Sequence, residues 1–200
     1  APTRSWVMAV YDERADHPRN VSFHSSPDLK NWKFQSLIDD FYECPDLIEL
    51  AVEGEAGRKH WVLYAADGKY VVGKFDGSRF TPETPKQQVW YGNFYAAQTF
   101  NQMPDGRCVQ IGWGNGITFP KMPFDQQMTV ACELTLHSKG AGLQEEGLHL
   151  RAWPVKEIES LRWPTSKSAP MRGMLKDDEE IRSGISGKQL DVSAEFLVDP

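Results

Sequence analysis

The stretch HWVLYAA at residues 60–66, followed by KYVVGKF at 69–75 and DGSRF at 76–80, decides the fold. The first two runs are rich in aromatic and β-branched residues, which favour strands, and the third is a turn that ends in an aromatic residue. The same order stands earlier in the chain, where Trp6–Tyr11 is a β-prone run and Asn20–Ser25 alternates as a half-exposed strand does. A turn and an aromatic residue follow there too. The two copies predict a repeated β-meander.

A third, fainter copy lies further along the chain. It comprises Arg107–Trp113, Met128–Leu136 and Leu148–Trp153. A repeat of roughly 50 residues with about four short strands is typical of β-propeller blades, because a single blade cannot bury its own faces. Closed propellers have about four to eight blades, whereas residues 1–165 hold about three copies. The sequence therefore predicts an all-β protein with a partial propeller that is incomplete at its N-terminal end.

Three regions are expected. Residues 1–165 form the partial β-propeller, which ends with a helical turn at Pro154–Leu161, where a Pro stands early and the apolar residues share one face. Residues 166–186 are polar and charged, as a linker or long loop is. Residues 187–200 return to alternation at Leu190–Val198, which predicts the first strand of a further β domain.

The composition suits an all-β protein that handles sugars. The net charge is −6 without a basic cluster, which argues against nucleic acid or an anionic membrane as a partner. Aromatic residues make up 12% of the chain, with seven Trp, and sugar rings pack well on aromatic faces. Trp is also an ordinary residue of sheet cores, so most of the seven are expected to be structural.

No cofactor site is visible in the sequence. The three cysteines, Cys44, Cys108 and Cys132, are odd in number and widely spaced, so they predict neither a disulfide framework nor a zinc site. The five His residues do not fall at metal-ligand spacing. No apolar run reaches the length that spans a membrane. We therefore expect no metal or organic cofactor and no membrane partner.

The stretch FYECPDL at residues 41–47 places two carboxylates, Glu43 and Asp46, on either side of a Cys-Pro pair. A carboxyl group near apolar rings and a second carboxylate is pushed towards its neutral form, which a general acid needs. Pro45 fixes its own φ and biases Cys44 towards an extended backbone, so we expect a rigid presentation of both carboxylates. The ordinary alternative is a solvated turn.

These residues resemble glycoside hydrolase family 32, the invertases, levanases and inulinases, through its Glu-Cys-Pro-Asp motif. Further matches occur in the same order along the chain, at Tyr91–Phe100, Ile111–Trp113, Met122–Met128, Glu133–Leu136 and Trp153–Ile158. The resemblance implies a five-bladed propeller followed by a β-sandwich. Residues 1–165 would then be about three blades of that propeller, and residues 187–200 would begin the sandwich.

The resemblance also implies roles for the matched positions. Glu43 corresponds to the general acid/base that protonates the departing glycosidic oxygen and later activates water. Cys44 and Asp46 would orient it, with Asp46 able to hold the sugar. Tyr95 and Trp113 match aromatic residues near the fructose pocket, and the alternative for each is an ordinary place in a blade core.

Some positions depart from the family pattern. Asn93 stands close to where many relatives have an Asp, which puts a substrate contact in question. The family's nucleophilic Asp lies in a Trp-Met-Asn-Asp-Pro-Asn-Gly stretch, and its transition-state-stabilising Asp lies in an Arg-Asp-Pro stretch; neither stretch occurs in these 200 residues. Since retaining hydrolysis needs two carboxyl groups, we expect this chain by itself to be inactive.

The sequence is therefore interpreted as a fragment of a retaining glycosidase that cleaves β-fructofuranosidic bonds in sucrose, levan or inulin. Two alternatives are a five-bladed propeller hydrolase that acts on arabinan or xylan, and a non-catalytic propeller that binds carbohydrate. The location of the parent follows from its substrate. A parent that degrades polymers would be secreted or periplasmic, and one that acts on sucrose would be cytoplasmic.

Overall fold

The computed structural model describes residues 4–100, 102–139, 146–162, 172–174, 186–187 and 190–195. The part of the chain through Val155 is one compact unit of three antiparallel sheets, named A, B and C in chain order. Sheet A contains β1 (Trp6–Asp12), β2 (Asn20–Ser26) and β3 (Lys33–Asp39). Sheet B contains β4 (Asp46–Ala51), β5 (Lys59–Tyr64), β6 (Lys69–Phe75), β7 (Phe80–Pro82) and β8 (Gln87–Gln88). Sheet C contains β9 (Phe94–Thr99), β10 (Val109–Gly114), β11 (Gln127–Met128), β12 (Cys132–Lys139) and β13 (Glu146–Pro154).

Each sheet is a meander of neighbouring strands. The strand order is β1-β2-β3 in sheet A, β4-β5-β6-β7 with β8 also on β6 in sheet B, and β9-β10-β12-β13 with β11 also on β10 in sheet C. The turn between β5 and β6 shows why the sequence folds this way: Gly68 has φ +81°, a conformation that glycine adopts without a steric penalty. A side chain at Gly68 would also collide with Trp90. The three repeats of the sequence are therefore three successive blades, as predicted.

Two apolar cores fill the spaces between the sheets. One lies between sheets B and C and includes Val62, Tyr64, Val72, Leu134 and Leu136. The other lies between sheets A and B and includes Val21, Phe23, Phe41, Leu63 and Val71. Successive residues of a strand point to opposite faces, so β5 supplies Val62 and Tyr64 to one core and Leu63 to the other. This alternation is what makes sheet B the middle layer.

The second unit, from Lys156 onwards, contains a 3-10 helix at Lys156–Leu161, where the helical turn was predicted. Beside it, Arg162 Nε lies 2.5 Å from Asp191 Oδ2. Residues 172–174, 186–187 and 190–195 have no regular secondary structure. Most of the predicted linker at 166–186, and the end of the predicted strand at 190–198, lie outside the described residues. The linker and the start of a sandwich thus remain predictions.

Candidate active site

The loop between β3 and β4 carries Glu43 and is fixed at several points. Phe41 is buried in the core between sheets A and B, and its backbone N–H and that of Asp40 both point to the Arg19 carbonyl. The Ala66 N–H donates to the Glu43 carbonyl at 2.8 Å. Because these contacts hold the backbone on both sides, the half-buried Glu43 side chain is presented from a defined position at the start of β4.

Tyr95 is the direct partner of the Glu43 carboxylate. Its hydroxyl, on β9 of sheet C, donates a hydrogen bond of 2.6 Å to Glu43 Oε2. Burial raises the pKa of Tyr95 above its ordinary value, and the hydrogen bond to Glu43 raises it further. Tyr95 therefore stays protonated at neutral pH and remains a hydrogen-bond donor to the carboxylate.

A row of aromatic rings extends on both sides of Glu43. Its ring centroids are separated by 5.4 Å between Tyr11 and Tyr42, by 6.4 Å between Tyr42 and Tyr95, and by 6.4 Å between Tyr95 and Trp113. These distances fall in the range of interacting aromatic pairs. The row starts on sheet A, passes the loop of Glu43 and ends on sheet C, so two sheets and the loop between β3 and β4 contribute to it.

Cys44 has a different backbone from the one predicted. Its φ is +49°, in the left-handed region, and not in the extended region expected for a residue before proline. Gln98 explains part of this conformation, because its side-chain Nε2 donates to the Cys44 carbonyl at 3.1 Å. Burial raises the pKa of the Cys44 thiol, and the nearby Glu43 charge adds to the effect. The thiol is thus kept in its neutral form, which is a poor nucleophile.

Asp46 joins sheets B and C. As the first residue of β4, it accepts two hydrogen bonds at Oδ2, from the Thr99 N–H at 2.9 Å and from the Thr99 hydroxyl at 2.7 Å. Thr99 is the last residue of β9, the strand that also carries Tyr95. The pair therefore fixes β9 beside β4, which keeps the Tyr95 hydroxyl within reach of Glu43.

Asn93 lies further out, in an exposed position just before β9. Its Nδ2 donates to the Asn115 carbonyl at 2.6 Å, and the Asn115 N–H donates back to the Asn93 carbonyl at 2.7 Å. These bonds extend the pairing of β9 and β10 beyond Phe94 and Gly114, at the end of the hairpin away from its connecting loop. The substrate contact suggested by the resemblance stays a prediction, as do the roles of the other site residues.

The structure adds residues that the sequence did not single out. Tyr42, Gln98 and Thr99 contact predicted site residues, and Tyr11 packs against Tyr42. Tyr42 could have been identified from the sequence, since it directly precedes Glu43. The others could not, because their partners are distant in the sequence and the sheets bring them together.

Within the described ranges, no group of three or more His, Cys, Asp or Glu side chains could hold a metal ion. No helix in the same ranges is long and apolar enough to cross a membrane.

The fold and the site together define a class: a β-propeller in which one carboxylate, held by a tyrosine, stands in a row of aromatic rings. The chain belongs to the glycosyl hydrolases family 32, since the model of that family's N-terminal domain matches residues 2–154. The resemblance seen in the sequence is thereby confirmed. The family's five-bladed propeller is represented here by three blades.

Individual relatives agree with this assignment. A levanase from Bacillus subtilis (strain 168) is 31% identical over 98% of this chain, and the match covers 32% of the levanase. Invertase 1 of Saccharomyces cerevisiae is 29% identical over 80% of this chain and is covered to 34%. The chain therefore spans about a third of the length of the curated relatives that it matches.

Solved structures show the same architecture. A fructofuranosidase from Schwanniomyces occidentalis, complexed with fructosylnystose, superposes with a TM-score of 0.65 at 26% identity, over 81% of this chain and 33% of the other. An exo-inulinase from Aspergillus awamori has a TM-score of 0.65 at 24% identity, over 80% of this chain and 35% of the other. The second likeness bears on the fold alone.

Proposed function

We propose that the parent of this chain is a retaining glycosidase that hydrolyses β-fructofuranosidic bonds in sucrose, levan or inulin, with Glu43 as its general acid/base. The observation that carries the proposal is the 2.6 Å hydrogen bond from Tyr95 to Glu43, set within a row of aromatic rings in a family 32 chain. The levanase and invertase relatives support the substrate class. Family membership does not favour the arabinan, xylan or non-catalytic alternatives.

In the first step Glu43 acts as an acid. It donates its proton to the glycosidic oxygen as the bond between that oxygen and the anomeric carbon breaks, and the leaving group departs as an alcohol. A second carboxylate forms a bond to the anomeric carbon and gives a covalent fructosyl-enzyme intermediate. We assign this nucleophile to a part of the parent outside these 200 residues. Asp46 has a different role in this proposal, because its Oδ2 atom accepts two hydrogen bonds from Thr99 that link β4 to β9.

In the second step Glu43 acts as a base. Its carboxylate takes a proton from a water molecule, the water oxygen bonds to the anomeric carbon, and the nucleophile carboxylate is released. Tyr95 is suited to this change of role, because a neutral hydroxyl donor can stabilise the carboxylate form of Glu43 between the steps. Tyr95 and Trp113 offer ring faces for the fructosyl unit.

The test is Glu43→Gln in the full-length parent. Glutamine keeps the shape and accepts the Tyr95 hydrogen bond, but it cannot donate the proton. We expect kcat on sucrose or levan to fall by about 10²- to 10⁴-fold with little change in substrate binding, measured by fructose release and by calorimetry. Near-normal activity on sucrose would contradict the assignment of Glu43.

Fructosyl fluoride provides the matched control. Fluoride leaves without strong acid assistance, so the Glu43→Gln variant is expected to form the covalent intermediate from it and then to turn over slowly. Added azide, which attacks without general base help, should restore turnover and give a fructosyl azide of retained configuration. Loss of reaction with fluoride and azide alike would show that Glu43 has a structural role.

The 200-residue chain by itself is expected to release no fructose from sucrose, levan or inulin, because the stretch that carries the family's nucleophilic Asp does not occur in these residues. Release above that of the chain with Glu43→Gln would require a second carboxylate among these residues, and Asp46→Asn would then be the first variant to assay. If levan or inulin is the better substrate of the parent, we propose secretion, since a polymer of that size is met outside the cell.

A further inference from the structure

The turn that follows β10 consists of Asn115 and Gly116, the one Asn-Gly pair in the sequence. Both residues are exposed, and Gly116 has φ +67°, a conformation that glycine adopts without a steric penalty. Trp113 stands two residues before Asn115, where β10 pairs with Tyr95 of β9. A change of covalent structure at this turn would therefore act on the hairpin that carries both aromatic residues of the proposed site.

Asn115 differs from the other asparagines of the described residues in the freedom of its side chain. Asn20, Asn31 and Asn93 each donate a hydrogen bond from Nδ2, at 2.8, 2.7 and 2.6 Å. The Asn115 side chain makes no hydrogen bond to any described residue. Its backbone, by contrast, is held: the N–H donates to the Asn93 carbonyl at 2.7 Å, and the carbonyl accepts from Asn93 Nδ2. The Asn115 amide is thus free to change rotamer on a fixed backbone.

The backbone nitrogen of Gly116 can reach the Asn115 side chain, because a bond between them closes a five-membered ring. The Gly116 N–H donates no hydrogen bond within the described part of the chain, and glycine has no Cβ to screen it. The other three described asparagines are followed by Val, Trp or Phe. The carbonyl of the same peptide group accepts the hydrogen bond from Asn93, which stabilises negative charge on that group when the nitrogen loses its proton.

We propose that Asn115 is a site of spontaneous deamidation. The Gly116 nitrogen gives up its proton and bonds to Asn115 Cγ, the bond from Cγ to Nδ2 breaks, and Nδ2 leaves as ammonia with that proton. The product is a cyclic imide, and water then breaks one of its two carbonyl–nitrogen bonds. Opening at Cγ gives aspartate, whereas opening at the backbone carbonyl carbon gives isoaspartate, whose chain runs through Cβ and Cγ. Water is the co-reactant.

Isoaspartate would disturb the end of the hairpin more than aspartate. It adds one atom to the backbone and converts the carbonyl of residue 115 into a free carboxylate, so the peptide group that Asn93 holds no longer exists. Because the register of a sheet is set residue by residue, a shift at this end would reach Trp113 and its contact with Tyr95. We therefore expect the modified parent to lose activity, and this consequence rests on the proposed function.

The modification is measured by incubating the 200-residue chain at pH 6 and at pH 8.5, followed by trypsin digestion and mass spectrometry. The tryptic peptide 108–121 contains Asn115 as its single asparagine. We expect its amide to become an acid, in two separable products, at least about tenfold faster than the amide of the buried Asn20, a barrier difference of about 1.4 kcal/mol. The rate should be higher at pH 8.5, because the Gly116 nitrogen must lose its proton.

Asn115→Gln is the matched control, because glutamine keeps the amide but would have to close a six-membered ring. It also shows whether Gln110, in the same peptide, contributes. Equal conversion at Asn115 and Asn20, equal rates at the two pH values, or equal conversion in wild type and Asn115→Gln would each overturn the proposal. In the full-length parent, loss of activity that follows isoaspartate formation and is absent in Asn115→Gln supports the effect on activity, and unchanged activity overturns it. A parent that is inactive from the start contradicts the proposed function, whereas the mass measurement still decides the site.

Discussion

Sheet B differs from its two neighbours because it supplies side chains to both apolar cores. Val62 and Leu63 of β5 are both fully buried, although they point to opposite sides. Sheet A supplies side chains to one of these cores and sheet C to the other, and both sheets carry large exposed apolar side chains, with Trp6 58% exposed on sheet A and Trp153 75% exposed on sheet C. The difference teaches that a blade is completed by its neighbours, and that these exposed side chains are suited to contact further sheets.

The largest loss of stability is expected when a buried side chain of sheet B is shortened. We expect Leu63→Ala to lower the free energy of unfolding by about 2–5 kcal/mol, because the cavity it leaves lies in the core between sheets A and B. Urea denaturation of the chain would measure the loss. Met128→Ala on sheet C, where Met128 is 57% exposed, is the control and should change stability by less than about 0.5 kcal/mol. Similar losses in both variants would contradict the two-sided burial of sheet B.

A smaller effect is expected from the contact between Asp46 and Thr99. Thr99→Val removes the hydroxyl donor at 2.7 Å and leaves the backbone donor in place. A hydrogen bond to a charged group contributes about 1.5–3 kcal/mol, and the partial exposure of Asp46 places the loss near the lower value. A double-mutant cycle with Asp46→Asn would measure the coupling. Additive losses would show that the contact does not join sheet B to sheet C.

The smallest effect concerns pH and sheet C. Burial lowers the pKa of His137 on β12, and the Arg151 charge lowers it further, against a weaker opposite effect from Glu53. The unfolded chain therefore takes up a proton first as the pH falls, so the stability that neutral His137 contributes is present above its ordinary pKa of about 6.5 and is lost below it. Urea midpoints at pH 7.5 and 5.5 would show a larger drop for wild type than for His137→Gln. Equal drops would remove His137 from the explanation.

The sequence alone predicted the order of the blades because alternation and turn residues are local signals. The runs at 60–66 and 69–75 became β5 and β6, and Pro154–Leu161 became a short helical segment. The prediction of extended backbone at Cys44 was wrong. It used the preference of a residue before proline, which is weaker than the hydrogen bonds that the fold imposes on this loop.

The site was predictable only in part. Glu43 could be found because its motif is continuous in sequence. Its contact with Tyr95 spans 52 residues, and the contact of Asp46 with Thr99 spans 53, so both depend on how sheets B and C are placed. No spacing within one strand encodes such contacts.

The parallel bridge between Val52 and Leu136 has a mechanical consequence. Just beyond β4, the Glu53 N–H donates to the Leu136 carbonyl at 2.7 Å, while at the other end of β4 Asp46 holds Thr99. Sheets B and C are thus hydrogen-bonded to each other at both ends of β4. Sheet A is linked to sheet B through the side chains of Ser36 and Lys86. Under a pulling force we expect sheet A to separate from sheet B first. Glu43 and Tyr95 would separate only when the contacts at both ends of β4 break and sheet C separates from sheet B.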